Sequence, residues 1–114
     1  MKTIIERICA VVLGLGGVGH AVGAYMGYKQ MPLTLLWALC ASLFLFLLAS
    51  VNYLRSARPG DGALAVIAIT GNLAWIAVSL AFGTLTGHLF DVRVVVFIVL
   101  CIALIGFALA GRKA

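Results

Sequence analysis

One histidine, His20, stands inside a long stretch of this chain that contains no charged residue. An imidazole can donate and accept hydrogen bonds, relay a proton or bind a metal ion. If that stretch is a helix, a rise of about 1.5 Å per residue puts His20 about 12 Å from its far end. Helical spacing also places Asn72 and Ser79 on one face of another uncharged stretch. These three side chains form the candidate polar site of the sequence, with His20 predicted to bond to Asn72 or Ser79.

Two cysteines give the histidine a second interpretation as a metal ligand. Cys40 and Cys101 come out at nearly the same depth as His20, each on a different uncharged stretch. A layer of one histidine and two cysteines suits a soft ion such as copper(I) or zinc. However, Cys40 falls on the opposite side of its helix from the small residues, and no CxxC spacing is present. The expectation is no metal and no cofactor, with these residues as weak candidates.

The residue types and their spacing give little support for a catalytic function. The three carboxylates, Glu6, Asp61 and Asp91, stand at the ends of the uncharged stretches, so no facing acid and base pair is predicted. No serine or cysteine is spaced with a histidine and an orienting acid for nucleophilic catalysis. The run Gly14-x-Gly16-x-x-Gly19 matches a dinucleotide fingerprint, but no strand precedes it as that motif requires. We expect no catalytic residues, although the enzyme question stays open.

The glycines are better explained by helix packing. At about 100° per residue, four glycines and His20 fall on one face of a helix. Their spacing repeats the GxxxG pattern, which lets two backbones approach closely in lipid. The partner is another helix of the same chain or a second protomer, and the sequence does not decide between them. The predicted packing residues are Gly16, Gly19, Gly23 and Gly27.

The elements that position these residues are four apolar stretches. Of the 114 residues 65% are hydrophobic and only 10% are charged. A helix that crosses a membrane needs about 20 apolar residues. We therefore predict an all-α fold, a four-span transmembrane bundle forming one integral membrane domain over residues 1–114. Short connections favour an up-down-up-down order. The predicted spans are residues 8–28, 33–54, 63–87 and 94–110.

The distribution of positive charge predicts the orientation of the bundle. With both termini cytoplasmic, Lys29 and Arg93 are the two basic residues outside, and the other six of the eight lie inside. Such a bias orients membrane proteins, and it also places cations beside anionic lipid heads. The expected partner is therefore the lipid bilayer, in a bacterial inner membrane, and nucleic acid is not expected.

Three classes of function are compatible with these residues. A non-enzymatic accessory or assembly protein that acts through helix packing is favoured, because the strongest patterns concern helix contact. A homo-oligomeric channel or carrier for a small solute or ion is the alternative, with a pathway along His20, Asn72 and Ser79. A membrane enzyme component that handles a cofactor, quinone or lipid is the third. The chain is expected to be a homo-oligomer or part of a larger membrane complex.

Overall fold

The computed structural model describes residues 1–111, and four long helices make up most of this part of the chain. The predicted all-α fold is confirmed, and every helix is long and apolar enough to cross a membrane. Arg112 and Lys113, which contribute to the predicted charge bias, lie outside the described residues. The helices are α1 (Lys2–Tyr28), α2 (Pro32–Ala57), α3 (Gly62–Thr86) and α4 (Val92–Gly111).

Three helices begin at residues that favour a helix N-terminus. Pro32 occupies the first turn of α2, where a missing backbone N–H removes no helical bond. The Asp61 side chain caps α3 by accepting from the backbone N–H of Leu64 at 3.0 Å. Asp91 Oδ1 accepts from the N–H of Arg93 at 2.8 Å at the start of α4. The local chemistry of each turn therefore defines where its helix begins.

Helices α1 and α2 extend past the predicted uncharged stretches. α1 starts at Lys2 instead of residue 8, and α2 continues to Ala57 beyond residue 54. A charge-free run ends at the first charged side chain, whereas the backbone bonds of a helix continue through it. Arg55, predicted to lie in a connection, is consequently inside α2, and Glu6 and Arg7 lie in α1.

The bundle has a four-sided arrangement with one short diagonal. α1 packs most extensively on α2, and α3 packs on α4, while contacts of α1 with α4 and of α2 with α3 close the square. α2 also touches α4 across a diagonal, whereas no Cα atom of α1 lies within 8 Å of one in α3. Glu6 near the start of α1 pairs with Arg55 near the end of α2, and Gly17 faces Leu45. These contacts make α1 and α2 antiparallel.

An aromatic group and close glycine contacts fill the centre. Trp75 stacks on Phe44 with ring centroids 5.8 Å apart and meets Phe97 edge-on at 5.7 Å. A Cβ on Gly17 would lie 3.2 Å from Leu45 Cβ, so the absence of a side chain there allows α1 and α2 to approach. The buried core also includes Leu13, Leu48, Ala49, Cys101 and Leu104.

The outer surface is apolar along all four helices. Between 17% and 28% of the most apolar window of each helix is buried inside the chain, so most of its side chains face outward. Exposed large side chains include Leu15, Leu47, Ile67 and Val99, one on each helix. Soluble monomers seldom expose continuous apolar surface of this extent. Such an exterior suggests a membrane protein.

We predict that Gly17→Leu destabilises the bundle, because the new side chain must displace the α2 backbone or the Phe46 ring. Overpacking of this kind costs about 1–3 kcal/mol. Denaturant titration of the purified protein in detergent, followed by circular dichroism, measures the loss. Gly106→Leu is the matched control, since a Cβ there meets nothing within 4 Å. Equal unfolding midpoints for the two variants would show that the α1–α2 contact is not close-packed.

Candidate functional site

The structure does not bring His20 together with Asn72 or Ser79. His20 is partly buried on α1, and α1 lies diagonally across the bundle from α3, which carries the other two residues. His20 Nε2 and Ser79 Oγ are both buried without a hydrogen-bond partner among residues 1–111. Periodicity identified the faces of the separate helices, but it carries no information on which helices become neighbours. The three predicted polar residues thus belong to different places in the bundle.

The predicted polar face of α3 nevertheless points into the bundle. Asn72, Trp75, Ser79 and Gly83 are all buried, as the helical spacing predicts. Thr86, which helical spacing places on the same side, is exposed in the last turn of α3, where its hydroxyl donates to the Phe82 carbonyl at 2.8 Å. The interior orientation is confirmed for the part of α3 that has a neighbouring helix.

Asn72 is bonded to Asn52 of α2, and both side chains are almost completely buried. Asn72 Nδ2 donates to Asn52 Oδ1 at 3.0 Å, and Asn52 Nδ2 donates to Asn72 Oδ1 at 3.2 Å. Asn52 Nδ2 also donates to the Leu48 carbonyl at 2.9 Å. Two amides that satisfy each other in this way hold α2 and α3 in one register. Asn52 was not among the candidate polar residues predicted from the sequence.

An ion pair between Glu6 and Arg55 lies one turn of α2 beyond the asparagine pair. Arg55 Nη2 contacts Glu6 Oε1, and the two side chains are only 2% and 6% exposed. Sequence reasoning missed this pair because both residues were assigned to the ends of apolar spans. The available signal was spacing, since Arg55 follows Asn52 by three residues and therefore shares its face of α2.

Arg7 adds a second contact between the same ends of α1 and α2. Its Nε donates to Ser56 Oγ at 3.1 Å, and its guanidinium carbon lies 5.2 Å from the centre of the Tyr53 ring. Ser56 Oγ in turn donates to the Tyr53 carbonyl. Glu6 and Arg7 on α1 thus contact two successive residues of α2, Arg55 and Ser56. We call these five residues the end cluster, and its members are Glu6, Arg7, Tyr53, Arg55 and Ser56.

A cleft of about 240 Å³ opens beside the end cluster. It lies where the start of α1, the end of α2 and the end of α4 meet. Charged and hydroxyl side chains of α1 and α2 line it together with apolar residues near the end of α4. The lining residues are Lys2, Thr3, Glu6, Arg55, Ser56, Pro59, Phe107, Ala110 and Gly111.

At the opposite end of the bundle, Arg93 is paired with a nearby acid. Its Nε and Nη2 donate to the two carboxylate oxygens of Asp91 at 3.0 and 3.2 Å. The side-chain bond and the backbone bond from Arg93 hold the pKa of Asp91 below its ordinary value. Asp91 therefore stays ionised and offsets the positive charge of Arg93 at this end.

The predicted glycine row divides into a packed part and an open part. A Cβ on Gly16 would lie 2.6 Å from the Phe97 ring of α4, so that glycine permits a helix contact within the chain. Gly19, Gly23 and Gly27 are exposed, and a Cβ on any of them would meet nothing within 4 Å. The close contact with α2 uses Gly17, which the row did not include. We call Gly19, Gly23 and Gly27 the open glycine row.

The three candidate metal ligands lie in different environments. Cys40 is exposed, Cys101 is fully buried in the core, and His20 is partly buried on α1. Within residues 1–111, no three histidine, cysteine, aspartate or glutamate side chains are grouped closely enough to hold a metal ion. The described residues offer no geometry for the layer of one histidine and two cysteines.

Comparison of the chain with protein-family models, with curated proteins and with solved structures gives no match.

We predict that Asn72→Leu destabilises the bundle because it leaves the buried Asn52 amide with an unsatisfied acceptor. The double variant Asn52→Leu/Asn72→Leu removes both amides and replaces them with apolar groups of similar size. Its loss of unfolding free energy is expected to be smaller than the sum of the two single losses. Double-mutant cycles for such bonds inside membranes average about 0.6 kcal/mol, with a maximum of about 1.7. Strictly additive losses would show that the two amides do not act as a pair.

Proposed function

We propose that this chain is a small non-enzymatic membrane protein that acts as an accessory or assembly component through helix packing. The observation that carries the proposal is the open glycine row, because three glycines at GxxxG spacing remain without a helix against them. The row faces away from the other three helices of its own chain. Its partner is a helix of a second copy or of a larger membrane complex.

Glycine at every fourth position creates a flat strip on a helix. Two such helices can bring their backbones together, and the contact gains dispersion energy and weak Cα–H bonds. Within the chain, Gly16 and Gly17 already make room for side chains of α4 and α2. The open glycine row follows directly along α1. This helix therefore has one glycine segment that contacts other helices of the chain and a second that contacts none of them.

The proposal places the bundle in a bacterial cytoplasmic membrane, up-down-up-down, with both termini on the cytoplasmic side. It is supported by the apolar exterior of four helices and by the charge bias of the sequence. Asp91 offsets Arg93 at the outer end, which leaves Lys29 as the basic residue there without a nearby acid among residues 1–111. The end cluster and Arg58 then lie at the inner surface.

The channel or carrier alternative gains no specific observation. The pathway suggested by the sequence required His20, Asn72 and Ser79 to line one route, and His20 is separated from the other two by the bundle diagonal. The amide of Asn72 is bonded to Asn52. We therefore propose a single function.

We predict that Gly23→Leu weakens association at least tenfold, about 1.4 kcal/mol, because its side chain holds a partner backbone away. Energy transfer between labelled copies in liposomes measures self-association, and cross-linking in native membranes followed by mass spectrometry detects another partner. Val18→Leu and Gly106→Leu are the controls, since Val18 lies off the row and Gly106 is an open glycine on α4. If all three variants associate like the original chain, the row faces lipid and the proposal fails.

We predict that a cysteine at Gln30 is labelled from outside intact cells by an impermeant reagent, while one at Gly60 is labelled only after the membrane is opened. Both positions are exposed in short connections, where the charge bias acts most strongly. The background variant has Cys9, Cys40 and Cys101 replaced by alanine. The reverse labelling pattern would overturn the orientation without affecting the association test.

A further inference from the structure

We propose that the cleft beside the end cluster binds a phosphate group, with Arg55 and Lys2 as its cationic ligands. The cleft is separate from the open glycine row, which lies elsewhere on α1. The same chemistry is offered by the phosphodiester of an anionic lipid head and by a free phosphate ion. Either source presents several acceptor oxygens on a compact anion.

Arg55 has more donors than Glu6 uses. A guanidinium carries five N–H groups, and Glu6 is met by Nη2. Nε and Nη1 are buried and have no hydrogen-bond partner among residues 1–111, although the side chain is only 2% exposed. A buried donor of a charged group that has no acceptor destabilises the structure. Arg55 lines the cleft, so an acceptor there satisfies these donors when the guanidinium turns its N–H groups toward it.

The end of α4 packs closely against the Arg55 guanidinium. A Cβ at Gly111 would lie 2.6 Å from Arg55 Nη1. Glu6 contacts the guanidinium from the α1 side. Contacts from α1 and α4 therefore keep Arg55 beside the cleft.

The start of α1 supplies further attraction for an anion. The first backbone N–H groups of a helix have no partner within it, and the helix dipole favours negative charge there. Met1 provides no side-chain cap for these groups. Lys2 and Thr3 line the cleft and are exposed, so the Lys2 ammonium and the Thr3 hydroxyl can turn toward a ligand.

The charge of Glu6 does not cancel this attraction. Glu6 and Arg55 together are neutral, and Lys2 leaves the cleft with a net positive charge. A volume of about 240 Å³ is several times the roughly 30 Å³ occupied by one water in the liquid. A tetrahedral anion therefore has room without movement of the helices.

The test compares two variants that each remove one positive charge from the same end of the bundle. Lys2→Gln changes a residue that lines the cleft, whereas Arg58→Gln changes an exposed residue at the end of α2 that does not line it. Because Arg55 is also the partner of Glu6, its replacement would test folding together with binding. Lys2 and Arg58 are both exposed, so replacing them avoids that problem.

Two probes are titrated into the full chain in a neutral detergent at constant ionic strength. One is inorganic phosphate, and the other is short-chain phosphatidylglycerol, with phosphatidylcholine as the lipid control. Calorimetry measures the dissociation constants. We expect binding of at least one anionic probe, a loss of fivefold or more with Lys2→Gln, and less than twofold change with Arg58→Gln.

The probe that binds identifies the source. Binding of the lipid without inorganic phosphate assigns a headgroup site, and binding of both assigns a site for the phosphate group itself. Binding of inorganic phosphate alone assigns a soluble ligand. Failure of both anionic probes to bind, or equal losses in the two variants, would overturn the proposal. Equal binding of phosphatidylcholine would also overturn it, because the anionic charge would then carry no preference.

Discussion

The ion pair between Glu6 and Arg55 constrains how the first two helices can meet. Removing one charge from water without a partner costs several kcal/mol, so neither residue tolerates a rotation that separates it from the other. A shift of one residue along α1 would turn Glu6 by about 100° and carry it away from α2. The extensive apolar contact between α1 and α2 has no such requirement of its own. The pair therefore selects one register from the many that apolar surfaces allow.

Helix α2 is also held in one register against α3 by a polar contact. Asn52 and Arg55 are three residues apart on one face of α2, and they bond to opposite neighbours, α3 through Asn72 and α1 through Glu6. An amide pair and an ion pair in an apolar interior are directional, whereas dispersion contacts are not. The polar groups thus define the order of neighbours around α2. Trp75 then fills the space above them, between Phe44 and Phe97.

The sequence was sufficient for properties that depend on one helix at a time. Four long apolar helices, the cap at Asp61 and the interior face at Asn72 all follow from local composition and period. Properties that depend on how two helices pack together could not be predicted from it. The distance between His20 and α3 is decided by which helices occupy the diagonal, and four helices of similar hydropathy carry little information on that choice. Glu6 and Arg55 were missed because a hydropathy boundary was taken as a helix boundary, and charged groups can continue a helix once they find each other.

α1 has two neighbouring helices, α2 and α4, and no contact with α3. Gly19, Gly23 and Gly27 lie on an exposed side of α1 and carry no side chains that could cover it. Helical rise spreads these three glycines over about 12 Å of α1. Main-chain atoms of α1 therefore form part of the outer surface over that length, and a neighbouring helix can reach them without any rearrangement of the bundle.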